Sequence, residues 1–184
     1  MKTYLRYTLL CLFALSSALC GAEVTRVPQN FQSLTTSKEI KFNSPTNTIG
    51  TTDFVTYKCS GGAAKFAQYN RSPNPICIFL NNSGALVTTS RVENLDSLRI
   101  EYYDATVYPN VKVDFKVEIS TDSIDFTPLT VVSTTIGLAT VKMQQAGDYY
   151  VRISRLSNNF YIPAIEYYCL DLSGCPNCFL YKPE

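Results

Sequence analysis

Residues 111–120, Val111-Lys112-Val113-Asp114-Phe115-Lys116-Val117-Glu118-Ile119-Ser120, alternate apolar and polar side chains without a break. Successive side chains on a β-strand point to opposite faces of the sheet, so this stretch buries one face and wets the other. Thr121-Asp122-Ser123-Ile124-Asp125-Phe126 then reads as a turn into a second strand, with Asp122 and Asp125 as turn residues that bond their own backbone. The pair fixes an antiparallel β-protein.

Working outward, the same grammar recurs along the chain. Phe54–Cys59 predicts a strand broken at Ser60-Gly61-Gly62. Ile76–Leu80 is a continuous apolar run suited to burial on both faces, and Asn81-Asn82-Ser83-Gly84 turns it into Ala85–Thr88. Further strands are predicted over Ser97–Tyr103, Phe126–Val132, Gly137–Met143, Tyr149–Ile153 after an Ala146-Gly147-Asp148 turn, and Tyr161–Leu170. About nine strands spaced by roughly ten residues, with almost no helical periodicity, predict an all-β antiparallel sandwich or jelly roll.

Residues 1–22 read as a signal peptide: Lys2 and Arg6 precede an apolar core from Leu9 to Leu15, followed by small residues up to Ala22. That core is too short to span a bilayer, and no later segment approaches the roughly 20 apolar residues required. Cys20 also admits a lipid anchor, although Ser17-Ala18-Leu19 fits a lipobox poorly. Residues 23–50, rich in Ser, Thr, Asn and Pro, read as an extended lead-in with one short edge strand near Glu39–Phe42. Residues 51–184 read as the sandwich with a cysteine-rich tail. The expected address is secreted, periplasmic or cell-surface.

Removing Lys2 and Arg6 from 16 basic residues leaves 14 against 15 acidic ones, and no two basic residues are adjacent. Such a chain offers no electrostatic footprint for nucleic acid. Beyond the leader stand Cys59, Cys77, Cys169, Cys175 and Cys178, which an oxidising compartment would turn into disulfide staples. The number is odd, and order alone does not give the pairing. If the first core strand neighbours the last, Cys59 bridges Cys169, worth about 4 kcal/mol on the chain-entropy model. Otherwise Cys59 pairs with Cys77, and Cys169 joins the tail.

The hairpin Val117–Leu129 resembles that of galactose-binding-like β-sandwiches, the discoidin and carbohydrate-binding-module type found in bacterial secreted proteins. Its strand ends in Ser120, a turn containing Asp122 follows, and Phe126 opens the next strand. Gly147-Asp148-Tyr149-Tyr150-Val151-Arg152-Ile153 is similar to the aromatic–Val–Arg–Ile strand of that group, and Ala164-Ile165-Glu166-Tyr167-Tyr168 to its closing strand. The resemblance implies a structural calcium ion with Glu166 among its ligands, and a ligand site on the loops. Asn81, Asn82, Tyr108, Asn110, Asn158 and Asn159 are the residues expected there.

Catalysis has little to work with. The chain contains no histidine, so Ser-His-Asp and Cys-His arrangements are excluded. Cys175-Pro176-Asn177-Cys178 has redox or zinc spacing, but an exported tail without room for a helix favours a staple. Tyrosine is the best hint of a binding surface: Tyr102, Tyr103, Tyr108, Tyr149, Tyr150, Tyr161, Tyr167 and Tyr168 fall on late strands and their loops. In each adjacent pair on a strand, one ring is expected to face the core and the other outward. With no tryptophan, stacking on a sugar would fall to these rings.

The expected function is a non-catalytic, exported binding module for glycan or a protein partner at the cell envelope, with no cofactor beyond the calcium. Two other classes compete: a structural or adhesin-type surface subunit, and a thiol- or zinc-dependent protein using the C-terminal cysteines.

Overall fold

The computed structural model describes residues 23–31, 49–69, 75–105 and 113–171. The leader with Cys20, the edge strand expected near residues 39–42, and Tyr108, Asn110, Cys175 and Cys178 lie outside the described residues. The chain divides into two units. Arg26–Cys169 is the larger and is the one described below. The second takes in residues 1–25 and 170–184, of which Glu23–Thr25 open strand β1 and Leu170 and Asp171 end strand β12.

The described residues contain no helix, and none therefore long and apolar enough to cross a membrane. They form twelve strands: β1 (Glu23–Asn30), β2 (Ile49–Thr51), β3 (Thr56–Ser60), β4 (Lys65–Gln68), β5 (Ile76–Leu80), β6 (Leu86–Thr89), β7 (Val92–Asp104), β8 (Phe115–Ser120), β9 (Thr127–Leu129), β10 (Val131–Thr135), β11 (Leu138–Arg155) and β12 (Phe160–Asp171). The main path runs β2-β3-β6-β11-β7-β12-β5-β4, with β1 on β12, β10 and β8 on β11, and β9 on β8. The all-β antiparallel expectation holds. The count exceeds nine because β1 and β2 lie in the expected lead-in, β4 has too short a pattern to announce itself, and Phe126–Val132 divides into β9 and the start of β10.

One expected turn is not a turn. The strand β11 runs for 18 residues through Ala146-Gly147-Asp148. Its pairing with β7 slips between Lys142 and Gly147 and again between Gly147 and Tyr149. These irregularities bend the strand instead of reversing it. Leu138–Lys142 therefore pairs with β7 in one layer, and Tyr150–Arg155 pairs with β6 and β8 in the other. Gly147 and Asp148 supply the bulge: Asp148 accepts from the Asn94 N–H at 2.9 Å, and Asn94 itself adopts φ +51°.

Alternation does the rest. On β7, Leu95, Leu98, Ile100 and Tyr102 are buried, while Arg99, Glu101 and Tyr103 point the other way. On β12, Phe160, Ile162, Ile165 and Tyr167 are buried, and Tyr161, Glu166 and Tyr168 stand outside. The adjacent tyrosine pairs of β7 and β12 thus split between core and surface, whereas Tyr149 and Tyr150 on β11 are both half-buried. The opposing layer contributes Tyr57, Val87, Val117, Val151 and Ile153. Tyr102 meets Phe115 edge-on at 5.3 Å between ring centroids, Phe115 stacks on Phe160 at 5.3 Å, and Phe31 packs edge-on against Tyr57 at 5.2 Å.

At the centre Tyr167 of β12 donates its hydroxyl to that of Tyr57 on β3 at 3.0 Å, with both side chains fully buried. Burial pushes both phenols above the ordinary tyrosine value. The bond joins the two layers and satisfies groups that would be costly to bury alone.

The expected Cys59 bridges do not form. Cys59, Cys77 and Cys169 are free thiols. Cys59 sits on β3, which pairs with β2 and β6 and not with β12 or β5, so the first core strand does not pair with the last. Cys59 and Cys77 are buried as small apolar residues, and burial pushes both thiols up to about 12.

Substituting Tyr57→Phe or Tyr167→Phe is expected to lower stability by about 1–3 kcal/mol, because each leaves a buried hydroxyl without its partner. The double variant is expected to lose less than the sum, measured by urea denaturation as a double-mutant cycle.

Candidate functional site

The outward-facing residues of β7, β11 and β12 assemble in cross-strand rows, because directly opposed residues of a ladder share a face. One row is aromatic: Tyr103 on β7 opposes Tyr161 on β12, which opposes Phe79 on β5, which opposes Lys65 on β4. Tyr161 and Phe79 stack at 4.2 Å with only 12° between their planes. Tyr69 packs against its first two rings, 4.9 Å from Tyr161 and 5.3 Å from Tyr103.

The next row is Leu138, Glu101 and Ala164, and the one beyond it Thr140, Arg99 and Glu166. Ala164 is the small member, and the β7–β12 register slips between Tyr161 and Ala164. A single methyl between a tyrosine and a glutamate leaves a hollow in the sheet surface. The hollow is a groove of about 370 Å³ lined by Arg99, Glu101, Tyr103, Ile136, Leu138 and Glu166, among others. Its rim is the β10–β11 turn, where Gly137 has φ +86° and its carbonyl accepts from the Tyr102 N–H at 2.9 Å. Ile136 at the tip of that turn is 57% exposed.

Charge inside the groove is ordered. Glu166 accepts from Arg26, faces Arg99 Nη1 at 3.5 Å and accepts from the Tyr168 hydroxyl at 2.9 Å. The bond from Arg26 first, and then the Tyr168 bond and both guanidinium charges, outweigh burial and hold this carboxyl below its ordinary value. Glu101 accepts from the Tyr103 hydroxyl at 2.5 Å. Donors and acceptors are therefore fixed side by side next to a strip of rings.

The residue expected to ligate calcium, Glu166, has other partners here. Its oxygens are engaged by two guanidinium groups and a phenol, whereas calcium needs six or more oxygen ligands around it. No cluster of three or more Asp, Glu, His or Cys that could hold a metal occurs among the described residues.

Of the expected loop residues, Asn81, Asn82 and Asn159 make bonds that tie neighbouring loops. Asn159 Oδ1 accepts from the Asn82 N–H at 3.0 Å, and the Asn159 carbonyl accepts from the Ala105 N–H at 2.9 Å. The Asn81 carbonyl accepts from the Ala63 N–H at 2.8 Å. Asn82 has φ +66°, and a Cβ on Gly61 would stand 2.1 Å from the Gly84 carbonyl oxygen, so these turns are locked by close backbone approach. Asn81, Asn82 and Asn159 thus hold three loops together, while Asn158 is exposed. Arg99, Glu101 and Ala164 were not among the expected site residues. Extending the alternation of Ser97–Tyr103 by face would have placed Arg99, Glu101 and Tyr103 in a single line.

No protein-family model and no curated protein matches the chain. A solved structure from work described as "The complexity of the Ruminococcus flavefaciens cellulosome reflects an expansion in glycan recognition" is similar to it. The two are 12% identical with a TM-score of 0.41, and the match covers 82% of this chain and 99% of that chain. At that TM-score the likeness carries no argument about ligand or mechanism.

Because the folded pKa of Glu166 is depressed, its stabilising contribution is present above the ordinary value of 4.5 and lost as pH falls through the depressed value. Glu166→Gln is expected to melt below wild type at pH 7, with the gap closing as the pH is taken down from 5 to 3 in roughly half-unit steps of a thermal melt series.

Proposed function

We propose that the chain is a non-catalytic glycan-binding module, exported to the cell envelope or beyond, and that the groove on the outer face of β7 and β12 receives the sugar. The observation that carries the reading is the pairing of a ring strip with fixed donors and acceptors in one hollow of about 370 Å³. A pyranose offers an apolar ring face and a rim of hydroxyls that both donate and accept. Tyr103 lines the groove beside Arg99, Glu101 and Glu166, and the stacked rings of Tyr161 and Phe79 continue the strip from it. Rigid aromatic rings with a few placed polar groups are the usual makeup of such sites.

The resemblance of Val117–Leu129, Gly147–Ile153 and Ala164–Tyr168 to galactose-binding-like sandwiches supports the same ligand class. The absence of histidine supports the non-catalytic part, since acid–base work would fall to carboxylates, and those of the groove are tied to arginines and tyrosines. Export rests on the pattern of residues 1–22. The loop asparagines remain a proposed rim, because their bonds hold the loops in position at the end of the sheet where β7 finishes.

The test is affinity electrophoresis and calorimetry of the full chain against cello-, xylo-, manno- and galacto-oligosaccharides. One of these is expected to bind, with Tyr103→Ala and Glu101→Gln each weakening it about tenfold, or roughly 1.4 kcal/mol. Binding by both variants at wild-type strength would contradict the groove, and no binding across the panel would contradict the reading.

A further inference from the structure

The opposite layer carries a second outward face with a different charge balance. Its register places Lys58 on β3 opposite Thr88 on β6, Thr88 opposite Arg152 on β11, and Arg152 opposite Glu118 on β8. Lys58 and Arg152 are thus two strands apart on one face, about 10 Å between backbones, with a threonine hydroxyl between them. They line a groove of about 480 Å³ together with Thr56, Ser123, Phe126 and Tyr150, and no lining residue is acidic.

Arg152 is held from two sides. Its Nε donates to Glu118 Oε2 at 2.8 Å, and its guanidinium carbon lies 4.0 Å from the centre of the Phe126 ring. Lys116 Nζ closes the other oxygen of Glu118 at 2.9 Å. Burial works to raise the Glu118 carboxyl, but the bonds from Arg152 and Lys116 and their charges hold it below the ordinary value, so it stays ionised and keeps the guanidinium in place. Neither Nη atom of Arg152 has a hydrogen-bond partner among the described residues, and Lys58 is exposed without an ion pair among them. A fixed guanidinium with its outer edge unused matches the two oxygens of a carboxylate.

We propose that this face is a second saccharide site, selective for uronic-acid-bearing oligosaccharides, with the ligand carboxylate between Arg152 and Lys58 and a sugar ring against Phe126 and Tyr150. The inference goes beyond the reading above, which concerns the other layer. Charge complementarity names the ligand: Lys58 and Arg152 line this groove with no acidic residue, and the carboxylate beside them, Glu118, is buried and already paired with Arg152 and Lys116, whereas the first groove is lined by Glu101 and Glu166 beside Arg99.

The experiment is calorimetry of the full chain with oligogalacturonate and with the same oligosaccharide after carboxyl reduction. Oligogalacturonate is expected to bind, to weaken as salt rises, and to weaken about tenfold in Lys58→Ala and in Phe126→Ala. The carboxyl-reduced form is expected to bind at least tenfold more weakly. Both positions lie outside the core, and circular dichroism checks that each variant folds. Arg152 is left intact because its removal would strand a buried Glu118 charge. Equal binding of the two oligosaccharides, wild-type affinity in Lys58→Ala, or binding of inorganic phosphate as tightly as of oligogalacturonate overturns the inference. Oligogalacturonate binding that Lys58→Ala weakens, with no neutral oligosaccharide bound, sinks the first reading and keeps this one; the converse sinks this one alone.

Discussion

The rest of the structure depends on β11 changing layers without leaving the sheet. A strand that pairs with β7 at its start and with β6 and β8 at its end must be bent in the middle, and Gly147 with Asp148 does this through a bulged register. The bend fixes which residues look outward on each side. Ahead of it, Leu138 joins the first groove; beyond it, Tyr150 and Arg152 join the second. The two layers are then held together by the aromatic core and by the hydroxyl bond of Tyr167 to Tyr57.

Much of this was legible from alternation alone. Ile76–Leu80 forms a strand with the bounds read from its apolar run, and Thr121–Phe126 turns as expected: Asp122 Oδ1 accepts from the Ile124 and Asp125 N–H groups at 2.8 and 3.0 Å, and Ser123 takes φ +67°. The bend in β11 was not legible, because Ala-Gly-Asp is equally good chemistry for a hairpin turn and for a bulge. Only the partner strands decide between them, and those come from distant parts of the chain. Short strands such as Lys65–Gln68 escaped for a related reason: four residues between glycines and a polar stretch contain too little periodicity to count.

The sites were harder to read than the fold. A general rule about loops pointed to Asn81, Asn82 and Asn159, and these residues do meet, through bonds that organise the loops. The charged rows run across strands far apart in sequence, so no local pattern joins Arg26 and Arg99 to Glu166, or Lys58 to Arg152. Tyrosine composition was the one usable signal, and the split of Tyr102/Tyr103 and Tyr167/Tyr168 between core and surface gives it a physical basis. Of the cysteines, Cys59, Cys77 and Cys169 are free thiols, and the compartment argument that expected staples concerns chemistry without deciding which thiols meet.

The central claim is that the outer face of β7 and β12 binds sugar. Hydroxyl-radical footprinting of the full chain, with and without the oligosaccharide that binds most tightly, tests it most directly because tyrosine rings report their own exposure. The account predicts protection of Tyr103 and Tyr161, with Leu156 in the loop before Asn158 labelled as in the free protein. Protection of Leu156 with Tyr103 and Tyr161 unchanged would contradict it and move the site to the loops.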